Sequence, residues 1–231
     1  MRTVPAPRTP LRAALPFGTA PSPTDNCCPA QGCDFLDSSN PCSFNAGACC
    51  GHASSTGTQD VVFAVEMIEW MAQNSCLDPS NVFATGFSNG GMITNRVGCQ
   101  LSPLFKGIAP VAGNIRTGGD FEECAPSTSL SWISFCGASD GVCNSDFDEA
   151  ALTWGRLNNC ATGPLPTFVS ATTRCEAWTD CDDGSFVEKC LIDDLGHEWP
   201  GRPRPDGNSP PQAPSNVDAT MYMFQRWSTL V

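Results

Sequence analysis

Asn81-Val82-Phe83-Ala84-Thr85-Gly86-Phe87-Ser88-Asn89-Gly90-Gly91 decides the reading of this chain. Its first half follows the turn residues Asp78-Pro79-Ser80 and is a short apolar run, which predicts a buried strand over 81–85. Its second half is a G-x-S-x-G pattern, after which a helix is expected over roughly 90–101. A serine on a tight strand-to-helix turn sits in strained backbone geometry with its hydroxyl exposed, and residues larger than the flanking glycines are expected to clash. The positive end of the following helix lies behind that hydroxyl, so the backbone N–H of Asn89 is expected to be one donor to a developing oxyanion. A strand before and a helix after are the context that separates such a turn from a chance glycine-rich one.

Outward from the turn, the periodicity alternates between strand and helix. Upstream, Val61, Val65, Ile68 and Met71 recur at helical spacing behind Asp60, a helix N-cap or first-turn acid, and predict a helix over 60–74. Downstream, 107–112 and 130–136 read as strands and 114–128 as loop. A helix is expected near 146–158, then a hairpin-like section over 166–192 turning at Asp182-Asp183-Gly184. A proline-rich loop (202–214) precedes a final helix near 216–229. Alternating strands and helices predict an α/β fold with a mostly parallel sheet, right-handed crossovers and flanking helices.

A serine hydroxyl is inert without a base, and the chain has two histidines. His52 lies in a Cys/Gly/Ser-rich stretch before the turn and reads as structural. His197 follows the last expected strand, in Gly196-His197-Glu198-Trp199-Pro200-Gly201. In α/β-hydrolases the catalytic order is Ser, Asp or Glu, then His, with the His after the last strand, and only His197 fits. The acid should end a strand between them, where Asp140 stands after 130–136. Asp146 and Asp148 fall at the start of a helix and read as cap and first-turn charges, while Asp193 and Asp194 lie too near His197 along the chain to orient it.

At these residues the chain resembles the polyhydroxybutyrate depolymerase and feruloyl esterase group, secreted esterases related to carbohydrate esterase family one. The likeness rests on Gly86-Phe87-Ser88-Asn89-Gly90-Gly91-Met92, Ile108-Ala109-Pro110-Val111-Ala112-Gly113 and Gly196-His197-Glu198-Trp199-Pro200-Gly201. Phe44-Asn45-Ala46-Gly47-Ala48-Cys49-Cys50-Gly51 and Asp60-Val61-Val62-Phe63 extend it, and it covers roughly 43–230. The G-H-x-W-P-G stretch is its most specific part. The resemblance implies an α/β-hydrolase-type fold and a Ser88–Asp140–His197 esterase acting on an ester-bearing polymer or its fragments, with Trp199 lining the acyl pocket. Gly137-Ala138-Ser139-Asp140 matches the family stretch that carries the acid, with Cys136 in place of that stretch's usual histidine. The family also has strands and a His-Gly motif, source of a second oxyanion donor, ahead of its Asn-Ala-Gly-Cys-Cys segment. Residues 1–42 carry neither, so the chain is expected to be N-terminally incomplete against that pattern. A catalytically inactive or truncated binding module on the same fold is the alternative.

Composition sets the remaining bounds. The chain has 231 residues, 41% apolar and 16% charged, which suits one globular domain: a Cys/Pro-rich irregular segment over 1–42 and a catalytic domain over 43–231. A net charge of −12 argues against nucleic acid and anionic lipid as partners. No apolar run of about 18 residues predicts a membrane span. Fifteen cysteines without zinc-type spacing point to a disulfide-rich, secreted protein with no metal or other cofactor, expected to be a monomer. The N-terminal residues lack a signal-peptide core, so export is expected to use another route or the start to lie further upstream. Cys181–Cys190 is expected to bridge the hairpin and Cys160–Cys175 to tie the preceding loop, whereas the adjacent pairs Cys27-Cys28 and Cys49-Cys50 carry no assignment.

Overall fold

The computed structural model describes residues 43–47, 51–114, 124–202 and 217–231. The expectations for residues 1–42 and most of the proline-rich loop fall outside them. The mixed six-stranded sheet runs β1 (Phe83–Phe87), β2 (Gly107–Val111), β3 (Ser131–Gly137), β6 (Val187–Ile192), β5 (Thr173–Thr179), β4 (Thr162–Val169) in spatial order. The pairings β1–β2, β2–β3 and β3–β6 are parallel, while β5–β6 and β4–β5 are antiparallel. Among the described residues five helices accompany it: α1 (Gly51–Thr56), α2 (Asp60–Asn74), α3 (Asn89–Gln100), α4 (Phe147–Leu157) and α5 (Ala219–Trp227). No helix among the described residues is long and apolar enough to cross a membrane.

The central strands β2 and β3 are buried at every position, as near-continuous apolar runs in a parallel sheet should be. Ile108, Val111, Trp132, Ile133 and Phe135 there join Trp154 of α4 and Met223 and Trp227 of α5 in one core. Asn95 of α3 is a polar hub inside it. Its Oδ1 accepts from both Trp132 Nε1 (2.9 Å) and Trp154 Nε1 (3.3 Å), and its Nδ2 donates to the carbonyls of Gly91 and Gly113. A second buried group, Glu188 on β6, accepts from Arg226 Nε at 2.6 Å, from Tyr222 Oη at 2.7 Å and from Thr167 Oγ1, fastening α5 to the sheet. Burial and the neighbouring Glu188 carboxylate push the Tyr222 hydroxyl well above its ordinary range, so it remains a donor.

Three local expectations change. Within the Cys/Gly/Ser-rich stretch that carries His52, for which no element was expected, 51–56 form the short helix α1. The 166–192 section is a three-stranded meander: β4 and β5 pair first, and the Asp182–Gly184 turn lies in the second connection. Consequently both expected disulfides are wrong. Cys175 and Cys190 face each other across the β5–β6 register with Cα atoms 4.0 Å apart, and they form the bridge. Cys160, just before β4, is brought beside Cys181 by the Thr162–Thr179 pairing and bonds to it. Cys99–Cys124 and Cys136–Cys143 complete the bridges among the described residues, and Cys76 is free and exposed there. Removing the Cys175–Cys190 cross-link by a double Ala substitution frees a loop of 15 residues in the unfolded chain and should lower unfolding free energy by about 3 kcal/mol, read by urea titration. An unchanged midpoint would show that the bridge is not formed.

Candidate active site

The carboxyl ends of three parallel strands converge here. β1 ends at the Ser88 turn, β3 leads into Asp140 and β6 leads into the loop carrying His197. Open α/β sheets place their ligands at this end. Ser88 has φ 55° and ψ −120°, an unusual conformation for a residue with a side chain, and it is the N-cap of α3. The backbone N–H groups of Gly91 and Met92 donate to its carbonyl at 2.9 and 3.0 Å. Of the expected glycine requirements, one holds and one moves. A Cβ on Gly86 would collide with the Gly90 carbonyl, but Gly90 itself has open space. The close approach falls instead on Gly91, against the Val111 and Gly86 carbonyls, and on Gly113, against the Ser88 carbonyl. The chain must pass between β1 and the end of β2 there, and only residues without a Cβ leave room.

The structure brings Ser88, His197 and Asp140 into one hydrogen-bonded series. Ser88 Oγ is 2.8 Å from His197 Nε2, and His197 Nδ1 is 2.9 Å from Asp140 Oδ2. The Asp140 side chain is fully buried and that of His197 is 36% exposed, so the series runs from interior to surface. An ionised carboxylate only accepts, so the proton belongs on Nδ1 and Nε2 is left to accept from the serine hydroxyl. Asp140 Oδ1 accepts from the Val142 backbone N–H at 2.7 Å. The phenyl ring of Phe87 lies 4.8 Å from the imidazole, tilted by 37°.

The acid and histidine loops are laced together. The Ala138 and Ser139 N–H groups donate to the carbonyls of Ile192 (2.9 Å) and Leu195 (3.1 Å). This approach requires Gly137, whose Cβ would strike the Leu195 and Gly196 carbonyls. The substitution G137A should therefore push the histidine loop outward and lower turnover by about 10²-fold, in line with the effect of misplacing a catalytic group by about 1 Å. Steady-state kinetics on a small aryl ester measure it, and parent-like turnover would exclude the tight approach.

The other expected residues fall as follows. Asn89 opens α3, where helix geometry gives its N–H no intrahelical acceptor. Its side chain has a further task that the sequence reading missed: Oδ1 accepts from the Phe44 N–H (2.7 Å) and Nδ2 donates to the Phe44 carbonyl (3.0 Å). Asp60 and Arg96 hold the next residue, Asn45, so the segment Ser43–Gly47 is fixed beside the serine turn. Trp199 is partly buried against the core and donates Nε1–H to Thr220 Oγ1 at 3.1 Å, tying the histidine loop to α5. Asp146 is the N-cap residue of α4 without a side-chain capping bond, and Asp148 in its first turn pairs with Lys189 at 2.5 Å. His52 lies in α1. Cys136, Asp140 and Cys143 cluster within 4.8 Å, but the two sulfurs are bonded to each other and are not thiolate ligands.

The chain thus has an α/β-hydrolase fold with a serine–histidine–carboxylate series at the expected strand ends. Comparison with known proteins agrees. The model of the prolyl oligopeptidase family matches residues 52–133, which include Ser88 but stop short of Asp140 and His197. Feruloyl esterase B of Piromyces equi is 28% identical over 178 residues, covering 67% of this chain and 31% of that protein. Poly(3-hydroxyalkanoate) depolymerase C of Paucimonas lemoignei is 31% identical over 101 residues, covering 44% and 21%. Among solved structures, an acetyl xylan esterase from Aspergillus awamori superposes with a TM-score of 0.50 at 15% identity, covering 74% of this chain and 67% of that one, a likeness of fold. These similarities support a place in the esterase group of α/β-hydrolases. The chain spans about a third of the length of the first curated relatives it matches.

Proposed function

We propose that this chain is a secreted serine esterase that hydrolyses carboxylic esters of a polymer or its fragments through an acyl-enzyme. The single observation that carries the proposal is the Ser88–His197–Asp140 series, with contacts of 2.8 and 2.9 Å. Ser88 Oγ attacks the ester carbonyl while His197 Nε2 takes its proton. The imidazolium, held at Nδ1 by Asp140, then gives that proton to the departing alcohol, and a water molecule repeats the sequence on the acyl-enzyme to release the acid. The Asn89 N–H at the start of α3 serves as one oxyanion donor. Every proton in this cycle passes through His197.

Esters are favoured over amides by the relatives: two act, by name, on feruloyl and poly(hydroxyalkanoate) substrates. The peptidase-family match covers the nucleophile region, which acyl-transfer enzymes of this fold share whatever their leaving group. A feruloyl- or acetyl-bearing polysaccharide, or a polyhydroxyalkanoate, is the proposed substrate class. Four disulfides among the described residues support an oxidising, extracellular location. Labelling with a fluorophosphonate, which reacts only with an activated serine, tests the site. An adduct located on Ser88 by mass spectrometry, lost in S88A, is expected. A folded, disulfide-bonded sample that takes no label would favour the inactive binding module.

A further inference from the structure

Among the described residues, Asp140 is the only member of the series that sits in a loop closed by its own covalent ring. The loop leaves β3 at Cys136, turns through Gly137–Val142 and is stitched back by the disulfide at Cys143. Local hydrogen bonds shape the turn: Asp140 N–H to the Gly137 carbonyl (3.0 Å), Asn144 N–H to the Asp140 carbonyl (3.1 Å), and Asn144 Nδ2 to the Ala138 carbonyl (2.9 Å). All of these lie within the loop and its immediate continuation, so they fix its shape and not its position over the sheet. The near limb is held by β3 itself. The far limb is held by the Cys136–Cys143 bond and by Asn114, whose Nδ2 donates to the Cys143 carbonyl from the end of β2.

The bridge also reaches the reacting series. Cys143 Sγ lies 3.1 Å from Asp140 Oδ2, the oxygen that His197 Nδ1 contacts. A disulfide sulfur has no proton, so it fills this side of the oxygen without competing for its lone pairs. Both cysteines are almost completely buried, and the contact is dry.

We propose that the Cys136–Cys143 disulfide is a positioning device for Asp140: it holds the carboxylate against His197 and keeps Oδ2 free of any competing donor. The inference rests on the esterase reading of the site. Opening the ring removes the covalent tie between the two limbs and leaves the far limb to Asn114, to the packing of α4 and to the Ala138 and Ser139 bonds that lace the near limb to the histidine loop, so the His197 contact lengthens. A hydroxyl or thiol at position 143 would in addition donate into Oδ2 in competition with the imidazole.

The test compares the parent, C136A/C143A, D140N and the combined C136A/C143A/D140N chain, with C160A/C181A as a remote disulfide control. Folding is checked by circular dichroism. Expected in C136A/C143A is a fall in kcat on p-nitrophenyl acetate of about 10- to 100-fold, with KM within about twofold. In the D140N background the same deletion should change kcat by less than about twofold, because a device that acts through Asp140 has nothing left to position. The control should stay within about threefold of the parent. An equal loss with and without Asp140, or no loss in the parent background, would overturn the proposal in favour of a general stabilising cross-link. If C136A/C143A fails to fold, C136S/C143S replaces it, with an equal or larger loss expected from the new donor at position 143.

A second readout stands apart from turnover. The Nδ1 proton of His197 in its bond to Asp140 gives a strongly downfield proton resonance, expected in the parent and in C160A/C181A and lost in C136A/C143A. Its survival in the bridge-free chain would overturn the proposal. A parent that shows the resonance yet neither labels nor hydrolyses would instead mark the failure of the esterase reading, with the positioning role still decided by this signal.

Discussion

Replacing Asp140 with asparagine should lower kcat by about 10⁴-fold while the protein stays folded, as expected where the carboxylate sets the histidine tautomer. The side chain keeps its size, and the Val142 N–H can still find the amide oxygen. The change lies at the other end: an amide NH2 facing His197 Nδ1 donates to it and drives the imidazole proton to Nε2. Nε2–H then points at Ser88 Oγ, 2.8 Å away, and has no lone pair with which to take the hydroxyl proton. Fluorophosphonate labelling should slow in parallel, since acylation by the probe needs the same proton transfer. Steady-state kinetics and labelling rates both measure the effect, and a D140N chain within about tenfold of the parent would remove Asp140 from the mechanism.

The second large effect is on stability. Substituting Asn95 with leucine should cost about 3–5 kcal/mol, because several buried groups lose partners that leucine does not supply. Two buried indole N–H groups, of Trp132 and Trp154, lose their common acceptor, and the carbonyls of Gly91 and Gly113 lose a donor. Each orphaned buried donor carries a penalty of about 1–3 kcal/mol, and leucine, at least as large as asparagine, leaves no room for a replacement water. For a chain of this length the loss corresponds to a drop in Tm of roughly 10 °C, measurable by calorimetry. A drop of under about 2 °C would mean that the indoles find other acceptors.

The strand that leads to Asp140 is buried in the parallel sheet and stands out as an apolar run, whereas β1, expected to be buried, is only half-buried yet keeps its short apolar run, and the turn after it requires Gly86. With two histidines in the chain and a fixed order of roles, Asp140 and His197 followed from position along the sequence. The strand β4 did not, because Thr162–Val169 carries Pro164 and Pro166 and is exposed along most of its length, the marks of an edge strand. Missing it shifted the meander by one strand and mispaired its cysteines, since cross-strand bridges depend on register and register on which strands are adjacent. The requirement for Gly91 and Gly113 in place of Gly90 was equally hidden, because it arises where two distant segments cross. The grip of the Asn89 side chain on Phe44 spans 45 positions, and a short pattern encodes no such contact.

The lacing of the acid loop to the histidine loop has a dynamic consequence. Ala138 and Ser139 give their amide protons to Ile192 and Leu195, so Asp140 and His197 belong to a single cooperative unit built on β3 and β6. Ser88 belongs to another, built on β1 and α3. In hydrogen exchange the amides of Ala138 and Ser139 should open together with β6, at a free energy distinct from that of the serine turn. Motion between the two units is then expected to change the separation of the nucleophile and its base more than the imidazole–carboxylate contact.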